Sequence, residues 1–152
     1  MNVDDIEHYL QQASNRGDDV WRSQAASTAA VEQLQAAIDY PLPEALRHFL
    51  LRYGALGVND RFISGIIDNQ PLEEEGGNLL ADTAFLREEQ PSLPPHFLVI
   101  QSHEDGAYCL DLSQPAHPSV VNFEWGQSHK FADSFEQFLE HFFYAEDDCK
   151  VK

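Results

Sequence analysis

Histidines, cysteines and paired carboxylates are the side chains from which this chain could build a catalytic or metal centre. The seven histidines, His8, His48, His96, His103, His117, His129 and His141, are scattered. None stands with a cysteine at the short spacing of a zinc site. Cys109 and Cys149 are the only cysteines, too few for a disulfide framework or a zinc box. Cys109 sits in an apolar, strand-like run and reads as a small core residue. Cys149 reads as a free thiol near the end, where Lys150-Val151-Lys152 fits a prenylation box poorly. His103-Glu104-Asp105 with Asp111 has the donor types of a metal site, but a hairpin with a solvated turn accounts for the same residues. The chain contains no His-Glu-x-x-His, Gly-x-Ser-x-Gly, P-loop or Gly-x-Gly-x-x-Gly motif. Gly54-Ala55-Leu56-Gly57 and Gly76-Gly77 are too sparse to cradle a phosphate, and the glutamates beside the second pair would repel one. With 26 acidic residues, a glycosidase-type pair has no specific signature. The expectation is a chain that is not an enzyme and uses no cofactor and no metal.

Charge is what the chemistry leaves. The 26 acidic residues stand against 9 basic ones, for a formal net charge of −17. Such a surface repels nucleic-acid phosphates and draws in basic partners, speeding their association. It also destabilises the compact state by self-repulsion, which favours a functional reason for it. The 152 residues suit one domain, and a hydrophobic content of 43% suits a folded one. No apolar run approaches the roughly 20 residues of a membrane span. Met1-Asn2-Val3-Asp4-Asp5 is acidic and unlike a signal peptide, so a cytoplasmic location is expected.

The elements that must position these charges follow from periodicity. Ile6, Tyr9 and Leu10 mark a first helix, with Asp4 and Glu7 at capping-box spacing and Arg16-Gly17-Asp18-Asp19 as its end. Val20-Trp21 is a short apolar patch in which Trp21 reads as a core anchor. A second helix runs from about Thr28 to Asp39 and is broken by Tyr40-Pro41-Leu42-Pro43. The next carries Leu46, Phe49, Leu50 and Tyr53 on one stripe and stops at Gly54. Arg61 to Asp68 reads as a strand, Gln70 to Asn78 as an acidic loop, and Leu79 to Glu89 as a helix ended by Pro91, Pro94 and Pro95. Phe97 to Gln101 and Ala107 to Leu112 are strands joined by the turn at Glu104-Asp105-Gly106. Val121, Phe123 and Trp125 alternate with polar residues, which predicts a strand with one buried face. The last helix starts near Asp133, with Asp133 and Glu136 at capping-box spacing. Phe135, Phe138, Leu139, Phe142 and Phe143 form its stripe, which reads as core. Phe143 and Tyr144 are the candidates to face a partner instead, and residues 144–152 read as an acidic tail.

Leu42-Pro43, Phe49-Leu50 and Tyr53-Gly54 come first; then Tyr108 to Asp111 after the turn at Asp105-Gly106; then Trp125; then Ser134-Phe135 and Phe138-Leu139. In this order the segments resemble the SMI1/KNR4 family, also called the SUKH superfamily, over about Ala29 to Phe143. The resemblance implies an α+β fold, a single domain over residues 1–152 with its core at about 29–143 and a central, mostly antiparallel sheet flanked by helices. It also implies a role. Many bacterial members are immunity proteins that neutralise toxins, often nucleases; others are regulatory protein-interaction scaffolds without a toxin partner. The charge agrees with the first role, because a nuclease that grips phosphates is usually basic. The partner expected here is therefore a cognate, basic protein toxin, with no direct nucleic acid and no membrane. Its binding face is placed on acidic loops near the sheet, at Asp60, Asp68, Glu73, Glu74, Glu75, Glu104, Asp105 and Glu124.

Overall fold

A computed structural model describes residues 2–114 and 116–151, with side chains described as far as Tyr144. Cys149, expected as a free thiol, lies outside the described side chains.

A short 3-10 turn, Val3–Asp5, leads into α1 (Ile6–Asn15), which buries Ile6, Leu10 and Ala13 at i, i+4, i+7. The capping box expected at Asp4 and Glu7 does not form. Asp5 takes that place by accepting the Asn2 N–H at 3.1 Å. Asp4 and Glu7 reach out instead, Asp4 to the Arg52 guanidinium at 2.8 Å and Glu7 to that of Arg22 at 2.6 Å. Both guanidiniums lie over the Tyr53 ring, at 5.7 and 5.8 Å from its centre. The Arg22 hydrogen bond holds the Glu7 carboxyl below its ordinary pKa. These pairs stitch the N-terminal turn and helix to the strand that holds Arg22 and to the helix that holds Arg52.

β1 (Val20–Arg22) precedes α2 (Thr28–Ile38), which is capped by Ser27 Oγ accepting the Ala30 N–H at 3.1 Å and ends on left-handed Asp39. α3 (Glu44–Tyr53) buries Leu46, Phe49, Leu50 and Tyr53, as its stripe predicts. It stops at Gly54, where φ is +72° and a Cβ would lie 2.2 Å from the Gln24 carbonyl oxygen, so only glycine fits. β2 (Leu56–Val58) and β3 (Arg61–Ile63) complete an antiparallel sheet of order β1-β2-β3. The strand expected over Arg61 to Asp68 is thus cut to three residues. Asp68 and Asn69 hold positive φ, and Gly65 turns its N–H to the Gly77 carbonyl at 2.8 Å.

α4 (Leu79–Glu89) keeps its expected bounds. Thr83 ties it to β4 (Phe97–His103): its hydroxyl donates to the Leu79 carbonyl at 2.7 Å and accepts the Val99 N–H at 3.0 Å. β5 (Gly106–Asp111), β6 (Val120–Glu124) and β7 (Gln127–Ala132) follow, in an antiparallel sheet of order β4-β5-β6-β7. The strands form two sheets, joined where the Ser64 N–H meets the Ile100 carbonyl at 2.8 Å.

The last helix, α5 (Phe135–Val151), opens on Ser134, whose Oγ accepts the Gln137 N–H at 3.1 Å; Asp133 and Glu136 do not cap it. Its stripe is buried through Phe143, which stacks on Tyr9 and does not face a partner. Tyr144 is exposed and hydrogen-bonds Tyr9 through the two hydroxyls. The segment expected as a tail is helical to Val151.

The four-stranded sheet is covered on both faces. Leu98, Ile100, Leu110 and Val120 join the large core with α1, α2, α3 and α5. Phe97, Val99, Cys109 and Phe123 form a smaller core with Leu86 of α4 and Leu93. Burial there pushes the Cys109 thiol up to about 12, so it is an inert packing residue, as expected.

Candidate protein-binding face

The carboxylates predicted to bind a partner fall into two groups. Glu104 and Asp105 occupy the β4–β5 turn, and Glu124 pairs in register with Gly106 beside it. Their frame is polar and buried. Gln90, 3% exposed at the end of α4, donates from Nε2 to the Asp105 carbonyl at 3.0 Å and accepts the Trp125 N–H on Oε1 at 2.6 Å. One side chain therefore holds both hairpin tips. His103 Nδ1 accepts the Asp105 N–H at 3.3 Å, so its proton sits on Nε2 and is given to Asn122 Oδ1 at 2.7 Å. Asn122 in turn donates to Glu124 Oε1 at 3.1 Å.

This wiring separates the donors of the imagined metal set. His103 lies opposite Gly106 at one end of β5, and Asp111 lies at the other end, opposite Phe97. Asp111 is engaged by Ser113, through its N–H at 3.0 Å and its hydroxyl at 2.6 Å. Among the described residues no three His, Cys, Asp or Glu side chains are grouped to hold a metal ion.

The second group surrounds the acidic loop. Glu73, Glu74 and Glu75 are exposed, and Asn78, fully buried, fixes the backbone beneath them. Its Nδ2 donates to the carbonyls of Gln70 at 3.1 Å and Glu73 at 3.0 Å, while its Oδ1 accepts the Ile67 N–H at 2.7 Å. Asp68, exposed at a left-handed turn, is held by its N–H to Ser23 Oγ at 2.9 Å. Asp60 is exposed in the β2–β3 turn. A groove of about 550 Å³ runs between these turns, lined among others by Asp19, Trp21, Asn59, Phe62, Ile67 and Gly76. Asp60, Asp68 and Glu75 are each a chain neighbour of a lining residue. Glu73 and Glu74 flank a second cavity, of about 340 Å³, with Leu72.

Asp82 of α4 is hydrogen-bonded to the acidic loop and shares a cavity with Glu104 of the first group. Its carboxylate accepts the Gly77 N–H at 3.2 Å and the Ser64 hydroxyl at 2.6 Å, and it lines a cavity with His103 and Glu104. Burial raises its pKa, and the two hydrogen bonds offset part of that rise. Ser64 is 2% exposed and gives its hydroxyl to Asp82, so it holds the backbone.

Sequence reasoning missed the aromatic residues on this surface. Trp21, read as a core anchor, is 43% exposed, beside Phe62 at 48%. Trp125, read as the buried end of a strand, sits in the β6–β7 turn at φ +48° and is 60% exposed. Gly57 was the available signal for the first pair. It stands opposite both Trp21 and Phe62 in the sheet register, and a glycine mid-strand marks close approach of another group.

Among the described residues no helix is long and apolar enough to cross a membrane. Comparison with curated proteins found no match. Residues 25–141, about three quarters of the chain, match the model of the SMI1 / KNR4 family (SUKH-1), and the α+β arrangement of helices and antiparallel sheets agrees with it: the chain belongs to that family.

Proposed function

We propose that this chain is a non-catalytic immunity protein of the cytoplasm that binds and neutralises a cognate, basic toxin, most naturally a nuclease. The observation that carries the reading is the state of the carboxylates at the two turns. Glu73, Glu74, Glu75, Glu104 and Asp105 project into solvent from backbone that Asn78, Gln90 and His103 already hold. Charges held on fixed backbone keep more of their attraction for a partner, because less order is lost on binding. Family membership and the net charge of −17 support the same reading.

The mechanism is occlusion. A nuclease presents lysines and arginines where it grips the phosphate backbone. Two acidic turns can meet those cations in place of phosphates. Long-range attraction accelerates the encounter, and short-range packing sets the residence time.

The direct test is co-expression with a toxin encoded beside this gene. Growth should be restored, and the two purified chains should form a stable complex in which the toxin's activity is lost. A toxin that stays fully active with this chain in excess would contradict the proposal.

A further inference from the structure

We propose that the groove beside Trp21 and Phe62 is an anchor site for a cationic side chain, an arginine or a lysine, of the basic protein partner. This deepens the reading above and rests on it for the nature of the partner. The groove is built into the sheet. Trp21, Gly57 and Phe62 stand in one cross-strand row. A Cβ on Gly57 would lie 2.3 Å from Phe62 Cδ1, so the phenyl ring uses the space that glycine leaves. There it meets the Trp21 indole edge to face, with centroids 6.2 Å apart and planes at 71°. The pair is therefore positioned by the backbone while each ring stays more than two-fifths exposed.

The choice of a cation follows from charge. Successive residues of a strand point to opposite faces. The arginines next to the two rings are thus engaged elsewhere: Arg22 on Glu7 at 2.6 Å, and Arg61 over the Phe142 ring at 4.5 Å with its Nη1 on the Phe142 carbonyl at 2.5 Å. Among the described residues none that lines the groove is basic, and Asp19 is one of them. Asp60, Asp68 and Glu75, all exposed, are each next in the chain to a lining residue. A purely apolar occupant would satisfy the rings and partly desolvate Asp19 with no opposite charge to offset it. A guanidinium or ammonium satisfies both, stacking on the negative faces of the rings while the carboxylates neutralise it. The same acidic edge repels phosphates and carboxylate ligands.

The experiment titrates the protein with a nine-residue peptide alternating arginine and glycine, and with its norleucine counterpart. The indole N–H signals of Trp21 and Trp125 are followed by NMR, assigned with a Trp125→Phe variant. The arginine peptide should move the Trp21 signal and bind at least about tenfold more tightly than the norleucine peptide, the range of a cation–π contact aided by carboxylates. Trp21→Leu, which keeps apolar volume but removes the indole, should weaken binding about tenfold. Gly57→Ala should do the same by displacing Phe62, with the circular dichroism spectrum unchanged. Equal binding of the two peptides, no binding of the arginine peptide, or an unmoved Trp21 signal would each overturn the inference. Failure of the two proposals can be told apart. A Trp21→Leu, Phe62→Leu protein that neutralises its toxin undiminished removes the anchor and leaves the immunity reading standing. An arginine peptide seated on Trp21, with the toxin not neutralised, does the reverse.

Discussion

Gln90 and Asp82 show how single side chains fix this surface. Gln90 spends a donor on Asp105 and an acceptor on Trp125, both backbone groups of different hairpin tips. Gln90→Ala leaves those groups without that partner and is expected to cost about 1–3 kcal/mol. Gln90→Glu still accepts from Trp125 but, once ionised, cannot donate to Asp105. It should therefore be worse at neutral pH than near pH 4, which urea unfolding at both values checks. Asp82 gives a second pH signature. Its folded pKa is raised above the ordinary value of 3.8, so the stability it contributes is present below that value and lost as pH rises through the raised one. Asp82→Asn keeps an oxygen for Ser64 and Gly77 and removes that loss. Wild type minus variant stability should fall as pH rises above the ordinary value of 3.8; a difference that rises with pH would contradict the assignment. At this scale the exposed acids were legible, because carboxylates almost never bury unpaired. The aromatics were not. Whether Trp21 or Trp125 is covered depends on which sheet face a helix layer reaches, and residue type does not encode that.

Helices carried the clearest signal in the sequence. α2, α3 and α4 keep their expected positions to within a residue or so: the stripe of α3 at i, i+3, i+4, i+7 has one solution, and prolines just beyond α2 and α4 mark where they end. β2 and β7 were missed for opposite reasons. β2 is three residues long with a glycine at its centre. β7 exposes Gln127, Ser128, His129 and Lys130 in succession and so shows no alternation. Both are secured by pairing with neighbours distant from local propensity. The helical core is where a mutation should cost most. Phe49 of α3 and Phe135 of α5 are 0% and 2% exposed, with their rings edge to face at 5.7 Å. Phe49→Ala or Phe135→Ala is expected to cost about 3–5 kcal/mol. Because the rings touch, the double variant should cost less than the sum of the singles. Denaturant unfolding reads all three, and a loss under about 1 kcal/mol at both single sites would mean the core is elsewhere.

The whole molecule is a small α+β domain whose sheets and helices present acidic turns beside exposed aromatic rings. The order of its motifs was enough to identify the family resemblance, and the proposal of a basic partner rests on the charge. How the carboxylates divide into two groups was beyond the sequence, since Asn78, Gln90 and Asp82 set that division through contacts between distant segments. In the proposed function charge drives the encounter with a basic protein, and the loop at Glu73 to Glu75 is part of the face that meets it. Surface plasmon resonance of the toxin complex at two ionic strengths tests it most directly, with a Glu73→Lys, Glu74→Lys, Glu75→Lys reversal beside the parent. At about 0.1 M salt the reversal should slow association about tenfold or more, and dissociation should change less. At about 1 M salt, where the Debye length falls from about 10 Å to about 3 Å, the parent should slow and the gap between the two proteins should shrink. An association rate indifferent to both the salt and the reversal would contradict the account.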